Sequence, residues 1–256
     1  MNIHPTAIVD PGAELGKDIS IGPYTLIKKE VRIGDNVQIG SNVLIDSGTI
    51  LGRNCKVHHG AVLGTPPQDL KFGGEKTFLE IGENTVIREY ATINRGTKHR
   101  GRVTVGSNCF IMMYAHIAHD CIIGNNVILA NSVNLAGHVE VEDWVIIGGV
   151  VPVHQFTRIG AHSIIGGGFR VPKDVPPYIL AGGYPLRYMG LNKIGLKRRN
   201  FPEKTITLIN KACRILFQSR FNTTQALEKI KSEIEPIPEI SHLLDFIEKS
   251  ERGIIK

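Results

Sequence analysis

The sequence predicts a mainly β protein, a left-handed parallel β-helix of hexapeptide repeats with a C-terminal α-helical domain. An aliphatic residue recurs at every sixth position from Ile3 to Leu63 without a miss, and the same period returns twice further along the chain. A period of six fits neither the 3.6-residue turn of a helix nor the alternation of a simple strand, whereas it is typical of a hexapeptide β-helix. After Tyr178 the period gives way to helical spacing. We therefore expect a β-helix over residues 1–185 and a helical domain over residues 186–256.

Each hexapeptide is expected to supply one short strand and one turn, with its aliphatic residue pointing into a narrow interior. Three hexapeptides complete a triangular coil, so residues eighteen apart lie one coil apart, roughly 4.8 Å along the axis. Glycine often follows the aliphatic residue, as at Gly16, Gly22 and Gly34, where it lets the chain turn a tight corner. The period therefore predicts which residues are neighbours in space.

Two polar segments interrupt the period, at about residues 65–78 and 94–103. The aliphatic positions return after each interruption, first at Ile81 and then in an unbroken series from Val105 to Val171. Loops that project from a regular solenoid are where function concentrates. We therefore expect both loops to cover a binding cleft.

Helical spacing in the C-terminal part predicts three helices. Asn200–Glu203 has the pattern of a helix cap, with an early proline and an acidic residue. Aliphatic residues then recur on one face of each expected helix: Leu208, Ile209, Ala212, Cys213 and Leu216 in the first, Leu227, Ile230 and Ile234 in the second, and Ile240, Leu243, Leu244 and Ile247 in the third. The basic cluster Lys197–Arg199 just before them is a candidate phosphate site, because arginine binds phosphate oxygens with a planar fork.

The chain has 256 residues and a formal net charge of +6, and that charge is unevenly distributed. Residues 1–185 contain 16 basic and 16 acidic side chains, whereas residues 186–256 contain 14 basic and 8 acidic ones. A basic C-terminal face attracts an acidic protein, a phosphate-bearing ligand, nucleic acid or a membrane surface. A solvated helical surface is the plain alternative.

Nothing in the sequence points to export or to stable membrane insertion. The chain contains no run of eighteen apolar residues, and its first residues lack the basic and hydrophobic segments of a signal peptide. Its four cysteines, Cys55, Cys109, Cys121 and Cys213, show no Cys-x-x-Cys spacing, which argues against a zinc knuckle or a disulfide framework. We expect a cytoplasmic protein.

The candidate catalytic centre is Ala115–Asp120, where two imidazoles and a carboxylate fall within six residues. A sheet face gains no packing from such a cluster. We expect His119 to act as a general base, because neutral imidazole accepts a proton near pH 7. Asp120 is its candidate partner, since a carboxylate that fixes the tautomer strengthens the base. Neighbours on a strand point to opposite faces, so the pair meets only if the chain bends between them.

The eighteen-residue register places His119 beside Gly137 and Asp120 beside His138. The Gly137 amide is then a candidate oxyanion donor for acyl transfer, and His138 and His154 add imidazoles on nearby coils. The interior is too narrow for a substrate, so the site is expected outside, between parallel subunits of a trimer. A His-x-x-His-Asp motif is equally compatible with a structural or a metal-binding role.

Over essentially its full length, the chain resembles the UDP-N-acetylglucosamine O-acyltransferases that begin lipid A synthesis. The hexapeptide period alone identifies only a large superfamily, and specific segments narrow it. In chain order these are Gln68–Lys71, Ile87–Glu89, Arg95–Thr97, Ala115–Asp120, Leu135–His138, Val153–Phe156, Asp174–Tyr178 and Gly195–Arg199.

The resemblance implies a soluble cytoplasmic homotrimer that moves a (R)-3-hydroxyacyl group from acyl carrier protein to the 3-hydroxyl of UDP-N-acetylglucosamine. It implies no metal, no nucleic acid and no cofactor beyond the phosphopantetheine that carries the donor. It makes His119 the general base, Asp120 its orienting partner and the Gly137 amide the oxyanion donor. The implied substrate contacts are Gln68, Lys71, His116, His138, His154 and Gln155, with Asn192, Arg198 and Arg199 meeting the phosphopantetheine or the nucleotide. An acidic carrier protein also suits the basic C-terminal part.

Some positions depart from the family's usual pattern. Ile194 stands where many relatives carry an acidic residue, and Pro185 stands where histidine is frequent. Gly167 falls at the position that sets acyl-chain length in the family, and glycine leaves the groove open. Phe169 and Arg170 are larger than usual and are able to reshape it. We expect a preference for long 3-hydroxyacyl chains.

Three other functions fit parts of the sequence. An N-acyltransferase acting on a glucosamine amine would use the same base, but those relatives carry an additional N-terminal uridine-binding domain, whereas here the period begins at Ile3. A hexapeptide carbonic anhydrase would bind zinc through His116, His119 and His138, yet it would not need the basic helical domain. A catalytically silent scaffold would tolerate any change at His119.

Overall fold

The computed structural model describes residues 1–256 and contains 27 β-strands and four α-helices. The first sheet comprises, in spatial order, β1 (Asn2–Ile3), β4 (Ser20–Ile21), β7 (Gln38–Ile39), β10 (Lys56–Val57), β13 (Val86–Ile87), β16 (Phe110–Ile111), β19 (Ile128–Leu129), β22 (Ile146–Ile147), β25 (Ile164–Ile165), β26 (Ile179–Gly182) and β27 (Arg187–Leu191). The second comprises β2 (Ile8–Val9), β5 (Leu26–Ile27), β8 (Leu44–Ile45), β11 (Val62–Thr65), β14 (Thr92–Asn94), β17 (His116–Ile117), β20 (Asn134–Leu135) and β23 (Pro152–Val153). The third comprises β3 (Glu14–Leu15), β6 (Arg32–Ile33), β9 (Thr49–Leu51), β12 (Phe78–Ile81), β15 (Arg102–Val105), β18 (Ile122–Ile123), β21 (Glu140–Val141) and β24 (Arg158–Ile159).

The chain visits the three sheets in rotation, which confirms the predicted β-helix of hexapeptide repeats. Neighbouring coils pair in parallel with a register of eighteen residues, as between Ile117 and Leu135. The two loops lengthen that register without breaking it, so that Val62 pairs with Thr92 and Thr92 pairs with His116. The loops are therefore insertions between strands that still stack.

One aliphatic side chain from each strand fills the interior of the solenoid. Ile27, Ile93 and Ile117 have no exposed surface. Strands β1, β2 and β3 pair on one side only, and Ile3 consequently remains 37% exposed. Because the interior is filled by these side chains, any ligand must bind on the outside of the solenoid or beyond its end.

The C-terminal part contains the three expected helices and two elements that the sequence did not predict. The helices α2 (Glu203–Gln218), α3 (Thr223–Glu233) and α4 (Pro238–Glu248) bury most of the predicted apolar residues, while Leu208, Leu227 and Leu244 are half-buried. An antiparallel hairpin of β26 and β27 and a short helix α1 (Lys193–Arg198) precede them. The hairpin spans residue 185, so the expected domain boundary stays a prediction. None of the four helices combines the length and the hydropathy that crossing a bilayer would need.

The expected cap at Asn200–Glu203 is wrong in detail. The residue before α2 is Pro202, and no side chain caps that helix. Asn192 caps α1 instead, where its Oδ1 accepts the N–H of Gly195 at 3.0 Å. The sequence pattern placed the start of the helix correctly because proline is favoured at that end of a helix, but the side-chain cap serves the shorter helix upstream.

Neighbouring isoleucines on β18 allow a test of the inward-outward alternation. Ile123 is 2% exposed and Ile122 is 40% exposed. Ile123→Ala should lower the free energy of unfolding by about 2–5 kcal/mol, because it leaves a cavity in the packed interior. The matched Ile122→Ala should change it by less than about 0.5 kcal/mol. Denaturant titration measures both, and equal losses would contradict the assigned register.

Candidate active site

His119 and Asp120 lie at a corner of the β-helix, immediately after β17. Asp120 adopts a left-handed backbone with φ 59°, as do His138 and Phe156 on the next two coils, with φ 62° and 61°. This conformation turns the chain sharply, so the adjacent side chains are not held on opposite faces. The structure brings them together, with His119 Nδ1 2.9 Å from Asp120 Oδ2.

The Asp120 carboxylate is fully buried and accepts four hydrogen bonds. Its Oδ1 accepts the backbone N–H groups of Thr97 and Arg100 at 3.0 and 3.2 Å, and its Oδ2 accepts the Thr97 hydroxyl at 2.6 Å as well as the His119 N–H. Burial by itself raises the pKa of Asp120, but the donors on Thr97 and His119 outweigh it and hold that pKa below its usual value. Asp120 is therefore ionised at neutral pH. It follows that His119 carries its proton on Nδ1 and its lone pair on Nε2.

Gly137 lies directly against the imidazole of His119. A Cβ atom at Gly137 would stand 2.5 Å from Cε1 and 2.6 Å from Nε2 of that ring, so any side chain here would displace the imidazole. The Gly137 carbonyl accepts the N–H of Phe156 at 3.2 Å, whereas the Gly137 N–H makes no hydrogen bond within the protein. This free donor beside Nε2 suits the stabilisation of an oxyanion.

Two further imidazoles flank the pair. The His138 ring meets His119 edge to face at 5.1 Å and stacks on Phe156 at 4.3 Å. Burial lowers the pKa of His138, although the nearby Asp120 carboxylate, 3.8 Å from its Nε2, opposes the shift. Burial and the charge of His119 likewise lower the pKa of His116, whose Nδ1 lies 2.7 Å from the Thr92 hydroxyl. Both rings are therefore neutral hydrogen-bonding groups at pH 7.

The geometry disfavours the zinc site considered for this cluster. The ligand atoms of His119, Asp120 and His138 lie within 4.8 Å of one another, but His116 is not part of that group. Each Asp120 oxygen already accepts two hydrogen bonds, and Nδ1 of His119 is used to bind Asp120. A zinc ion would have to displace these donors, and the set of three histidines considered for this site is not assembled.

The other predicted contact residues are not hydrogen-bonded to the His119 pair. Gln68 and Lys71 lie on the exposed first loop. His154 and Gln155 lie one coil below Gly137, and His154 Nδ1 is 3.1 Å from the carbonyl oxygen of Gln155. Within one chain, the structure thus brings His119, Asp120 and Gly137 together, and none of these other residues is hydrogen-bonded to them.

Asn192, Arg198 and Arg199 come together around a separate cavity of about 700 Å³. Trp144 forms part of its wall, and the Arg199 guanidinium lies 4.9 Å from the centre of that ring. Burial lowers the pKa of Arg199, which nevertheless stays charged at neutral pH. Ile194 lines the same cavity and is 69% exposed. The cavity therefore offers cations and apolar surface, and no carboxylate at position 194.

Gly167 lies close to the backbone of the preceding coil, where a Cβ atom would stand 3.1 Å from the carbonyl oxygen of Gly149. A Cβ atom there would meet only the backbone of Gly148 and Gly149, and the Phe169 ring instead packs over Gly166 at 3.0 Å from its Cβ position. Phe169 therefore does not cover Gly167.

Sequence reasoning missed three residues of these sites. Thr97 and Arg100 belong to the second loop, which was expected to cover a cleft, but nothing in the pattern pointed to their N–H groups as donors to Asp120. Trp144 occupies a corner position with φ 63°. The sequence signal that could have identified Trp144 is its corner position in the eighteen-residue register, on one of the coils nearest the helical domain.

Comparison with known proteins defines the class and then the family. Two segments, residues 30–65 and 102–137, match the family model described as bacterial transferase hexapeptide (six repeats), and residues 174–255 match the one described as Udp N-acetylglucosamine O-acyltransferase, domain 2. Fold and site thus define a hexapeptide-repeat transferase with a histidine–aspartate pair at one corner.

Curated relatives and a solved structure of nearly equal length identify the family. An acyl-[acyl-carrier-protein]–UDP-N-acetylglucosamine O-acyltransferase from Thiobacillus denitrificans is 51% identical over 255 residues, and one from Thermodesulfovibrio yellowstonii is 49% identical, each covering 99% of both chains. The crystal structure of a UDP-N-acetylglucosamine acyltransferase from Bacteroides fragilis superposes with a TM-score of 0.97 at 46% identity and 99% coverage of both chains. The chain belongs to the UDP-N-acetylglucosamine O-acyltransferase family.

The lowered pKa of Asp120 gives a pH-dependent prediction. A carboxyl group whose folded-state pKa lies below the unfolded value of 3.8 stabilises the fold above that pH, and the contribution is lost as pH falls through the folded-state pKa. Asp120→Asn should therefore lower the free energy of unfolding at pH 7 by about 2 kcal/mol, the scale of a hydrogen bond to a charged group. Denaturant titrations from pH 7 down to pH 3 measure the free energy of unfolding of both proteins. The difference between the variant and wild type should become smaller only at the acid end of this range. A difference that is constant with pH would contradict the assignment.

Proposed function

We propose that this chain transfers a (R)-3-hydroxyacyl group from acyl carrier protein to the 3-hydroxyl of UDP-N-acetylglucosamine, the first step of lipid A biosynthesis. The observation that carries the proposal is the pairing of His119 with a buried, ionised Asp120 beside the free N–H of Gly137. That arrangement, in a family member whose relatives of nearly equal length carry this activity in their names, suits acyl transfer from a thioester.

The proposed reaction begins at Nε2 of His119. This atom takes the proton of the sugar hydroxyl as the oxygen attacks the thioester carbonyl, and Asp120 stabilises the imidazolium that forms. The carbonyl oxygen becomes an oxyanion and accepts the Gly137 N–H. Collapse of the tetrahedral intermediate breaks the carbon–sulfur bond, and the phosphopantetheine thiolate recovers the proton from His119. The acyl ester and the free thiol balance the reaction without any further cofactor.

The remaining predicted contacts are assigned by chemistry. His116 and His138 are neutral imidazoles at the cleft and would hydrogen-bond the acceptor sugar. Gln68, Lys71, His154 and Gln155 would approach the same substrate from loops and neighbouring coils. Asn192, Arg198 and Arg199 would bind phosphate groups of the nucleotide or of phosphopantetheine, because arginine matches phosphate with a planar fork.

We further propose that three copies assemble side by side, so that each cleft lies between two subunits. Two observations support this: the solenoid interior is filled, and Gln68 and Lys71 are exposed and make no hydrogen bond to His119 within one chain. A cytoplasmic location is proposed from the four cysteines, which are all unpaired, as suits a reducing compartment. The basic C-terminal part is proposed to attract acyl carrier protein rather than nucleic acid.

An amine acceptor on the same sugar is the second candidate, because a general base serves amine and hydroxyl alike. The zinc-dependent hydration of carbon dioxide is less well supported, since His116 lies outside the cluster around Asp120. Metal analysis after chelation would detect that alternative.

Product analysis tests the proposed reaction and its base together. UDP-N-acetylglucosamine and 3-hydroxyacyl carrier protein should give an acylated sugar nucleotide, detected by mass spectrometry. His119→Ala should lower kcat/KM by roughly 10³-fold or more, because the proton acceptor is lost, without unfolding the protein. The matched His4→Ala, which changes an exposed histidine of the first coil, should behave like wild type. No product from wild type would refute the function, and residual activity within tenfold in His119→Ala would refute the base.

The absence of a side chain at Gly167 predicts a preference for long acyl chains. Turnover should rise from a ten-carbon donor to longer 3-hydroxyacyl donors, because no side chain closes the groove at this position. Competition between donors of different length in one reaction measures this directly. A clear preference for the ten-carbon donor would contradict the prediction.

A further inference from the structure

The second loop holds the Asp120 carboxylate from the side opposite His119. Thr97 is 6% exposed and Asp120 is fully buried, and the Thr97 hydroxyl contacts the carboxylate directly at 2.6 Å. The loop supplies three of the four donors to the carboxylate: two backbone N–H groups to Oδ1 and the Thr97 hydroxyl to Oδ2. The loop alone thus holds both oxygens of the carboxylate, independently of the hydrogen bond from His119.

The direction of the Thr97 hydroxyl is determined by its other neighbour. Its oxygen accepts the backbone N–H of His99 at 3.2 Å, and its single proton therefore points to Asp120 Oδ2, at 2.6 Å. Oδ2 accepts the Nδ1–H of His119 at 2.9 Å as well. Thr97 and His119 consequently share one oxygen atom, and the position of that atom depends on both.

The first loop supports the second at two points. The Asn94 side chain donates to the Thr65 hydroxyl and to the Pro66 carbonyl, both at 3.1 Å. The Lys98 N–H donates to Glu75 Oε1, also at 3.1 Å. Thr97 lies between these two anchor points, which limits its freedom to move away from Asp120.

We propose that Thr97 is a positioning residue of the reaction: its hydroxyl holds Oδ2 of Asp120 where it orients His119, so that Nε2 faces the site beside Gly137. Thr97 touches neither substrate and acts only through Asp120. The inference rests on the proposed function, because the base that Thr97 orients is the base of that reaction.

Removing the hydroxyl has two separable consequences. The carboxylate loses the hydrogen bond that fixes Oδ2. His119 therefore spends less time in the productive orientation, and kcat falls. The negative charge on Oδ2 is then shared with His119 alone, which stabilises the imidazolium and raises the pH at which the base becomes protonated. A loss of loop structure alone would lower the rate without this shift.

The experiment compares three variants with wild type in the acyl-transfer assay across pH. Thr97→Val should lower kcat about tenfold or more, with KM for the sugar nucleotide nearly unchanged. It should also move the acid limb of the kcat/KM profile upward by about half a pH unit or more. Thr97→Ser, which keeps the hydroxyl, should restore both the rate and the profile.

Thr25→Val is the matched control. Thr25 is 1% exposed, donates to the Gly40 carbonyl at 2.7 Å and accepts the Val43 N–H at 3.2 Å, which is the same hydrogen-bonding pattern. It lies four coils before the Ala115 coil, roughly 20 Å along the axis. Its loss should leave kcat and the pH profile unchanged.

Wild-type kcat and an unshifted acid limb in Thr97→Val would overturn the proposal, and so would a slow variant that Thr97→Ser fails to rescue. If Thr97→Val does not fold, Thr97→Ala, which places no methyl groups against the carboxylate, takes its place under the same criteria. An inactive wild type would refute the proposed function instead. In that case ¹⁵N spectra of His119 recorded across pH still test Thr97, because the imidazolium should appear at a higher pH in Thr97→Val than in wild type, and coincident transitions would overturn the proposal.

Discussion

The buried carboxylate of Asp120 joins the corner after β17, His119 and the second loop. An ionised Asp120 with no exposed surface needs hydrogen-bond donors on every side. Two loop amides, one hydroxyl and one imidazole supply them. The second loop supplies three of these four donors, and the first loop is hydrogen-bonded to the second. The tautomer of His119, and with it the availability of Nε2, follows from the same carboxylate.

The hexapeptide period predicted most of the fold because one physical constraint repeats along the chain. An inward aliphatic residue every six positions fixes both the strand and the corner, and the register of eighteen then brings His119 beside Gly137. The side chains of His119 and Asp120 could meet only if the chain bends between them. The left-handed backbone of Asp120 at the corner provides that bend. These relations are local or periodic, and such relations are readable from sequence.

The rest depends on contacts between segments that no period connects. The hairpin of β26 and β27 and the short helix α1 follow no repeat, and Asn192 rather than Asn200 provides a side-chain cap. Thr97 reaches Asp120 across 23 residues of chain, because a loop of irregular conformation folds back onto the corner. Every residue except proline has a backbone N–H, so residue identity does not show which N–H groups bind Asp120. Sequence patterns therefore could not predict the hydrogen-bond donors around Asp120.

A double-mutant cycle between His119 and Asp120 tests the central claim most directly. If Asp120 acts only by orienting and stabilising His119, then in a protein that already carries His119→Ala the further change Asp120→Asn should cost little additional kcat, within about threefold. The account therefore predicts strong non-additivity, with the double variant about as slow as His119→Ala alone. Additive losses from the two substitutions would contradict it, because they would give Asp120 a role in the reaction that does not pass through the imidazole.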